Sequence, residues 1–296
     1  MAKSTSFDVS VLNITLQPHS PELYVELFES VFTQKPAISK KYLGNDHISL
    51  KITDEIRTND GNVDAIFGYI QKYTVIDTDS WYDKEKDSKV KEGEEPNYDL
   101  SRFSPYYTSY EFIFLPNGHR MFVITKIKND RLSIARLANS LELIFKEKWI
   151  ADKFNNVIVN VEHDESTIDK MLSMEELEKL FIRVSLDNDD DNSDLKEKMI
   201  NNMRRQNIHT ATRLFVGERK QSILPDEETK ALMELSLSNG YSIATGKRNG
   251  EKAVEKTSFY PFMIPEKYNS QFESLKDKLL IVAKRTIEYL RTRQRT

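Results

Sequence analysis

The stretch YEFIFLPNGHRMFVITKI, Tyr110 to Ile127, constrains the fold more tightly than any other part of the chain. Two runs of aromatic and β-branched residues, 110–115 and 120–127, flank Pro116-Asn117-Gly118-His119, and Asn-Gly supplies the positive φ that a tight connection needs. An antiparallel hairpin is therefore predicted near the middle of the chain. A second is predicted in GYSIATGKRNGEKAVEKT, Gly240 to Thr257, where Tyr241, Ile243 and Thr245 face Ala253 and Val254 across Asn249-Gly250.

The elements around these hairpins follow from periodicity. FDVSVLNITL, Phe7 to Leu16, reads as a strand buried on both faces toward its end, and Ile48–Ile52 and Ala65–Ile76 as further strands. Ser20 and Pro21 open a helix whose Leu23, Tyr24, Leu27, Phe28 and Val31 form an apolar stripe. Ser133–Lys153 reads as one long amphipathic helix, followed by a strand at Val157–Val161. Strand, helix, strand and helix then alternate over Lys179–Leu186, Ser193–Gln206, Thr210–Gly217 and Pro225–Ser238, before a helix from about Ser270 to Arg293. The expected class is α+β, with mixed or antiparallel sheets covered by helices, two loosely similar halves at 1–162 and 163–296, and a long C-terminal helix.

A chain of 296 residues can bury a large core, and 39% hydrophobic with 30% charged residues is ordinary globular composition. With no cysteine, disulfides, thiolate metal sites and thiol nucleophiles are excluded, which fits a reducing cytoplasm. The N-terminus lacks an apolar targeting core, and the longest apolar run, LLIVA at 279–283, is far too short for a membrane helix, so no membrane association is expected. Charge is segregated: residues 77–99 carry nine acids against four lysines, and residues 276–295 carry seven basic residues against Asp277 and Glu288. The acidic stretch lacks periodicity and is expected to be a mobile loop.

Several apparent active sites fail on spacing. Gly240 to Arg248 has five residues between its glycines and Arg248 where a phosphate loop needs a hydroxyl; its glycines also follow a helix. Lys247, Arg248 and Lys252 remain as cations at the end of a hairpin. SLDNDDDNSD, Ser185 to Asp194, places Asn192 where a calcium loop needs glycine and Lys198 where it needs glutamate. PDEETK, Pro225 to Lys230, reads as a helix cap, and the five histidines show no metal-ligand spacing. An enzyme reading, a metal-dependent nuclease, has only Asp164, Glu165 and Asp169, or Glu111 with His119, to draw on. No cofactor is expected.

Three stretches, LNITLQPHSPELYVELFE, FIFLPNGHRMFV and LPDEETKALMELSLSNGYSIATGKRNGEK, resemble a family of bacterial proteins of similar length known as a domain of unknown function, over nearly the whole chain. More remotely, the order of elements is similar to that of the phage-exclusion protein RexA. That resemblance implies a cytoplasmic homodimer, non-catalytic, that binds DNA without sequence preference in antiphage defence. On this reading duplex DNA would meet phosphate contacts from Arg204, Arg205, Lys247, Arg248, Lys284, Arg285, Arg291, Arg293 and Arg295. The alternative is an interaction subunit that senses a phage signal and regulates a separately encoded effector. Arginines at a helix end also complement its dipole without any DNA.

Overall fold

The computed structural model describes residues 4–33, 37–76, 81–90, 102–185, 194–219 and 221–295. Along the first strand, β1 (Thr5–Thr15), alternate side chains enter two cores: Leu12 and Ile14 on one face, Phe7, Val9 and Val11 on the other. Such a strand is stable only inside a sheet covered on both sides. α1 (Pro21–Phe32) starts where expected, Ser20 Oγ accepting the Leu23 N–H at 3.2 Å. β2 (Ser39–Leu43), β3 (Asp46–Arg57) and β4 (Val63–Thr74) follow as a meander. Within the acidic stretch, β5 (Tyr82–Asp83) and β6 (Ser88–Lys89) make a small hairpin; residues 77–80 and 91–99 lie outside the described residues.

The central hairpin forms as predicted from β7 (Thr108–Leu115) and β8 (Arg120–Ile127), with Phe112 opposite Val123. Its positive φ values fall at Gly118 and His119, one residue later than Asn-Gly spacing implies. β9 (Asp130–Arg131) leads into α2 (Ile134–Phe145) and α3 (Lys148–Phe154), so the single long helix expected at 133–153 is broken. The reason is the phase of the apolar stripe. Leu137, Leu141, Ile144 and Phe145 would continue in an unbroken helix to Lys148 and Asp152, whereas the turn at Lys146-Glu147 swings Ile150 and Phe154 into the core instead.

β10 (Ile158–Val161) and the short α4 (Ser166–Leu172) precede β11 (Glu176–Ser185), α5 (Asp194–Arg205), β12 (Thr210–Val216) and α6 (Glu227–Asn239). The second predicted hairpin is β13 (Gly240–Arg248) and β14 (Glu251–Lys256), its turn built on Asn249 (φ 53°) and Gly250 (φ 78°). β15 (Met263–Tyr268) and α7 (Leu275–Arg295) complete the chain.

Apart from the β5–β6 hairpin, two antiparallel sheets result among the described residues, and the α+β class with its long C-terminal helix is as expected. The larger has the order β10-β1-β8-β7-β4-β3-β2, with β15 also on β1 and β9 on β8. α1, α2 and α3 cover one face, and α7 covers the other through Leu279, Val282, Ala283, Ile287 and Leu290. Residues 263–295, which the sequence places in a second half beginning at 163, are thus built onto the first sheet. The smaller sheet has the order β12-β11-β13-β14, and α4, α5 and α6 pack on one face of it.

The two layers meet in a buried polar cluster. Arg120 donates from Nε to Glu162 Oε1 at 2.6 Å and from Nη1 to Asn13 Oδ1 at 2.8 Å. Ser238 Oγ, at the end of α6, donates to Glu162 Oε2, and Asn13 Nδ2 donates to Asn239 Oδ1, both at 2.8 Å. Each of these side chains is nearly inaccessible to water, so the cluster fixes how α6 sits on β1, β8 and the end of β10.

Candidate nucleic-acid interface

The smaller sheet carries apolar residues on both faces, yet among the described residues helices cover only one. Leu180, Ile182, Val184 and Ala244 point into the helix-covered core, where Leu232, Met233 and Leu235 of α6 and Ile200 of α5 meet them. The alternate residues form the opposite face, and none belongs to a buried cluster among the described residues. Strand register arranges them in rows. Thr212, Arg183 and Tyr241 make one; Leu214, Phe181, Ile243 and Lys256 the next; Val216, Lys179, Thr245 and Val254 the third; Glu176, Lys247 and Lys252 the last. Phe181 and Tyr241 stack with ring centroids 5.7 Å apart and planes 22° from parallel. Leu214, Val216 and Val254 are 62%, 63% and 47% exposed.

The electrostatics of this face are one-sided. Lys179, Arg183, Lys247, Lys252 and Lys256 share it with two carboxylates, Glu176, which accepts from Lys247 at 2.5 Å, and Glu178 at the β11 bulge, and both raise the Lys247 pKa. Lys247 stands directly opposite Lys252, a like-charge cross-strand pair that costs stability. Among the described residues no carboxylate pairs with Lys179, Arg183, Lys252 or Lys256, and the Lys256 ammonium lies 5.7 Å from the Phe259 ring centre. The closeness of the strands is itself encoded: a Cβ on Gly240 or Gly246 would lie 2.0 Å from the Arg183 or Glu176 carbonyl oxygen of β11.

The cations expected to contact DNA sit elsewhere, apart from Lys247. Arg248 is held by Glu255 at 2.5 Å and by the Lys170 carbonyl of α4. On α7, Lys284 pairs with Asp64 at 2.6 Å and Arg285 with Glu266 at 2.5 Å, while Arg291 meets Glu288 and donates to the Asn117 carbonyl. The outer stripe of α7 is of mixed sign, Asp277, Lys284, Arg285 and Glu288, with Ile281 among them. Arg204 and Arg205 close the last turn of α5, where Arg205 donates to Asn202 at 2.9 Å. Arg293 and Arg295 lie in the last turn of α7, their side chains outside the described residues. These residues therefore sit on three elements, and most of the described ones are engaged by carboxylates or carbonyls. Alternation in Lys179-Leu180-Phe181-Ile182-Arg183 was the signal available for the open face: cations and an aromatic at odd positions, aliphatics at even ones.

The carboxylates of the enzyme reading are not gathered. Asp164 Oδ1 accepts the Ser166 N–H, Glu165 accepts the Tyr289 hydroxyl, and Asp169 lies within α4. Glu111 lies on β7, its pKa raised by burial, four strand residues (on the order of 13 Å) from the turn that carries His119. Among the described residues no three His, Asp or Glu side chains come together as a metal site would require. Most of the candidate calcium loop, residues 186–193, lies outside the described residues. No helix is long and apolar enough to cross a membrane among the residues described.

Comparison with known sequences adds the kinship. No curated protein matches the chain. The profile of the family described as domain of unknown function (DUF4747) matches residues 5–284, spanning both sheets and about the first half of α7, and the chain belongs to that family.

Proposed function

We propose that this protein is a non-catalytic binding module that takes single-stranded nucleic acid on the open face of the smaller sheet, without reading its sequence. The observation that carries the reading is the stacked Phe181–Tyr241 pair set among Lys179, Arg183, Lys252 and Lys256 on a sheet face that no helix covers among the described residues. Bases have apolar faces that stack on aromatic rings, and phosphates follow cations; a surface offering both binds strands whose bases are free to splay. A four-stranded sheet, about 14 Å across its three strand spacings, is too broad for the ~12 Å major groove. That geometry favours a single strand over the duplex implied by the resemblance. Antiphage defence stays in the proposal as the setting, resting on the likeness in element order alone; defence or prophage genes beside this one would support it.

The test is fluorescence anisotropy with a labelled oligothymidylate and with a duplex, at two salt concentrations. The single strand should bind more tightly, with log K falling by about 0.7 per phosphate neutralised for each tenfold rise in salt. Phe181→Ala and Tyr241→Ala should each weaken binding by about 1–3 kcal/mol, roughly 5- to 150-fold. Lys179→Glu with Arg183→Glu should weaken every sequence alike, whereas Lys284→Glu should have little effect. Absence of single-strand binding at low salt, or binding indifferent to Phe181 and Tyr241, would discard the reading in favour of an effector-regulating interaction subunit.

A further inference from the structure

Strand β12, Thr210-Ala-Thr-Arg-Leu-Phe-Val216, pairs with β11 on one side only. Among the described residues nothing bonds to the backbone on its other side. The parity of that free edge is fixed: the Gly217 N–H donates to the Glu178 carbonyl, and the ladder runs without a bulge from there to Ser185. Residues 211, 213 and 215 therefore spend their backbone groups on β11, and Thr210, Thr212, Leu214 and Val216 direct theirs outward.

The other sheet edges are protected against pairing. β2 carries Lys40 and Lys41 and an irregular register, β15 carries Pro265, β14 alternates Lys252, Glu255 and Lys256, and β10 is four residues long. β12 has none of these devices. It is seven residues long, paired without a bulge, without proline, glycine or lysine, and Leu214 and Val216 are more than 60% exposed. Its one charge, Arg213, is neutralised within the chain by Glu228 at 2.7 Å.

We infer that β12 is a homodimer interface, the occupant of its free edge being β12 of a second copy paired antiparallel about a two-fold axis at Arg213. In that register the four outward residues meet one another, Thr210 against Val216 and Thr212 against Leu214, so each outward N–H finds a carbonyl. No uncompensated like charges meet, because each Arg213 retains its own Glu228. Two four-stranded sheets become one of eight strands, and their open faces become continuous. Dimerisation is independent of the nucleic-acid reading: it is measured without any ligand.

The experiment is light scattering coupled to size exclusion on the full chain across roughly 1–100 μM, the range in which such interfaces associate. The expected mass is twice the 34.5 kDa of the monomer. Leu214→Pro removes an N–H that β11 does not use, and Thr212→Lys with Leu214→Lys sets four lysines together at the seam; both should halve the mass, with circular dichroism unchanged for the lysine variant if the proline one misfolds. Since the chain has no cysteine, Arg213→Cys should form an intermolecular disulfide on oxidation, its Cα atoms being within the ~4.4–6.8 Å that the bond spans. A monomeric wild type, a dimer that survives the lysine variant, or a dimer in which Arg213→Cys fails to cross-link would overturn the assignment.

Discussion

Arg120 Nε donates to Glu162 Oε1 at 2.6 Å between side chains that water hardly reaches, and this ion pair joins the larger sheet to the last turn of α6. Removing one partner leaves a buried charge uncompensated. Glu162→Ala should lower unfolding free energy by about 3–5 kcal/mol, measured by urea denaturation. The double variant Arg120→Met with Glu162→Leu should lose less than either single one, since it leaves no orphaned charge.

His119 sits beside this pair at the β7–β8 turn, fully buried, against the rings of His19 and Tyr24. Burial, then the charges of Arg120, His19 and Arg291, hold its pKa well below the usual value. The folded chain keeps it neutral while the unfolded chain takes up a proton near pH 6.5. Stability from this residue is complete above that pH and falls as the pH drops below it, by up to ~1.4 kcal/mol per unit. Denaturation at pH 5 and pH 7.5 should show the loss. His119→Asn, which tolerates the φ of 42°, should reduce it.

The return of β15 and α7 to the first sheet makes residues 1–162 an incomplete unit. A fragment ending at 162 would expose Phe7, Val9, Val11, Ile113, Phe122 and Ile124, which α7 covers in the whole chain. It should aggregate or give no cooperative melt. Truncation before Leu275 should do the same, whereas loss of the residues beyond Thr292 should leave the melting temperature nearly unchanged, because Leu290 is the last core residue of the helix among the described residues.

Gly246→Ala places a methyl 2.0 Å from the Glu176 carbonyl oxygen, a clash with backbone that no rotamer relieves. A loss of about 2–4 kcal/mol is expected in chemical denaturation. Gly44→Ala is the comparison, with nothing within 4 Å and only its φ of 57° against it. It should cost no more than about 1–2 kcal/mol.

Sequence alone determined the elements whose cause is local. The two Asn-Gly hairpins, the Ser20 cap with Pro21, and β1 with apolar residues on both faces depend on neighbours a few positions away, and those are visible in one dimension. The break between α2 and α3 was half visible, since the stripe ending at Phe145 would otherwise have run onto Lys148 and Asp152. Tertiary structure decided the rest. Which cations are held by carboxylates depends on partners as distant as Asp64 from Lys284, and a net charge counted along a helix contains no such pairing. Which face of the smaller sheet is left open depends on all three helices choosing the same side, a choice made by the shared core of Leu180, Ile182, Ala244, Ile200 and Leu232. Period-two alternation assigns residues to faces; only packing between elements far apart in the chain determines which face meets water.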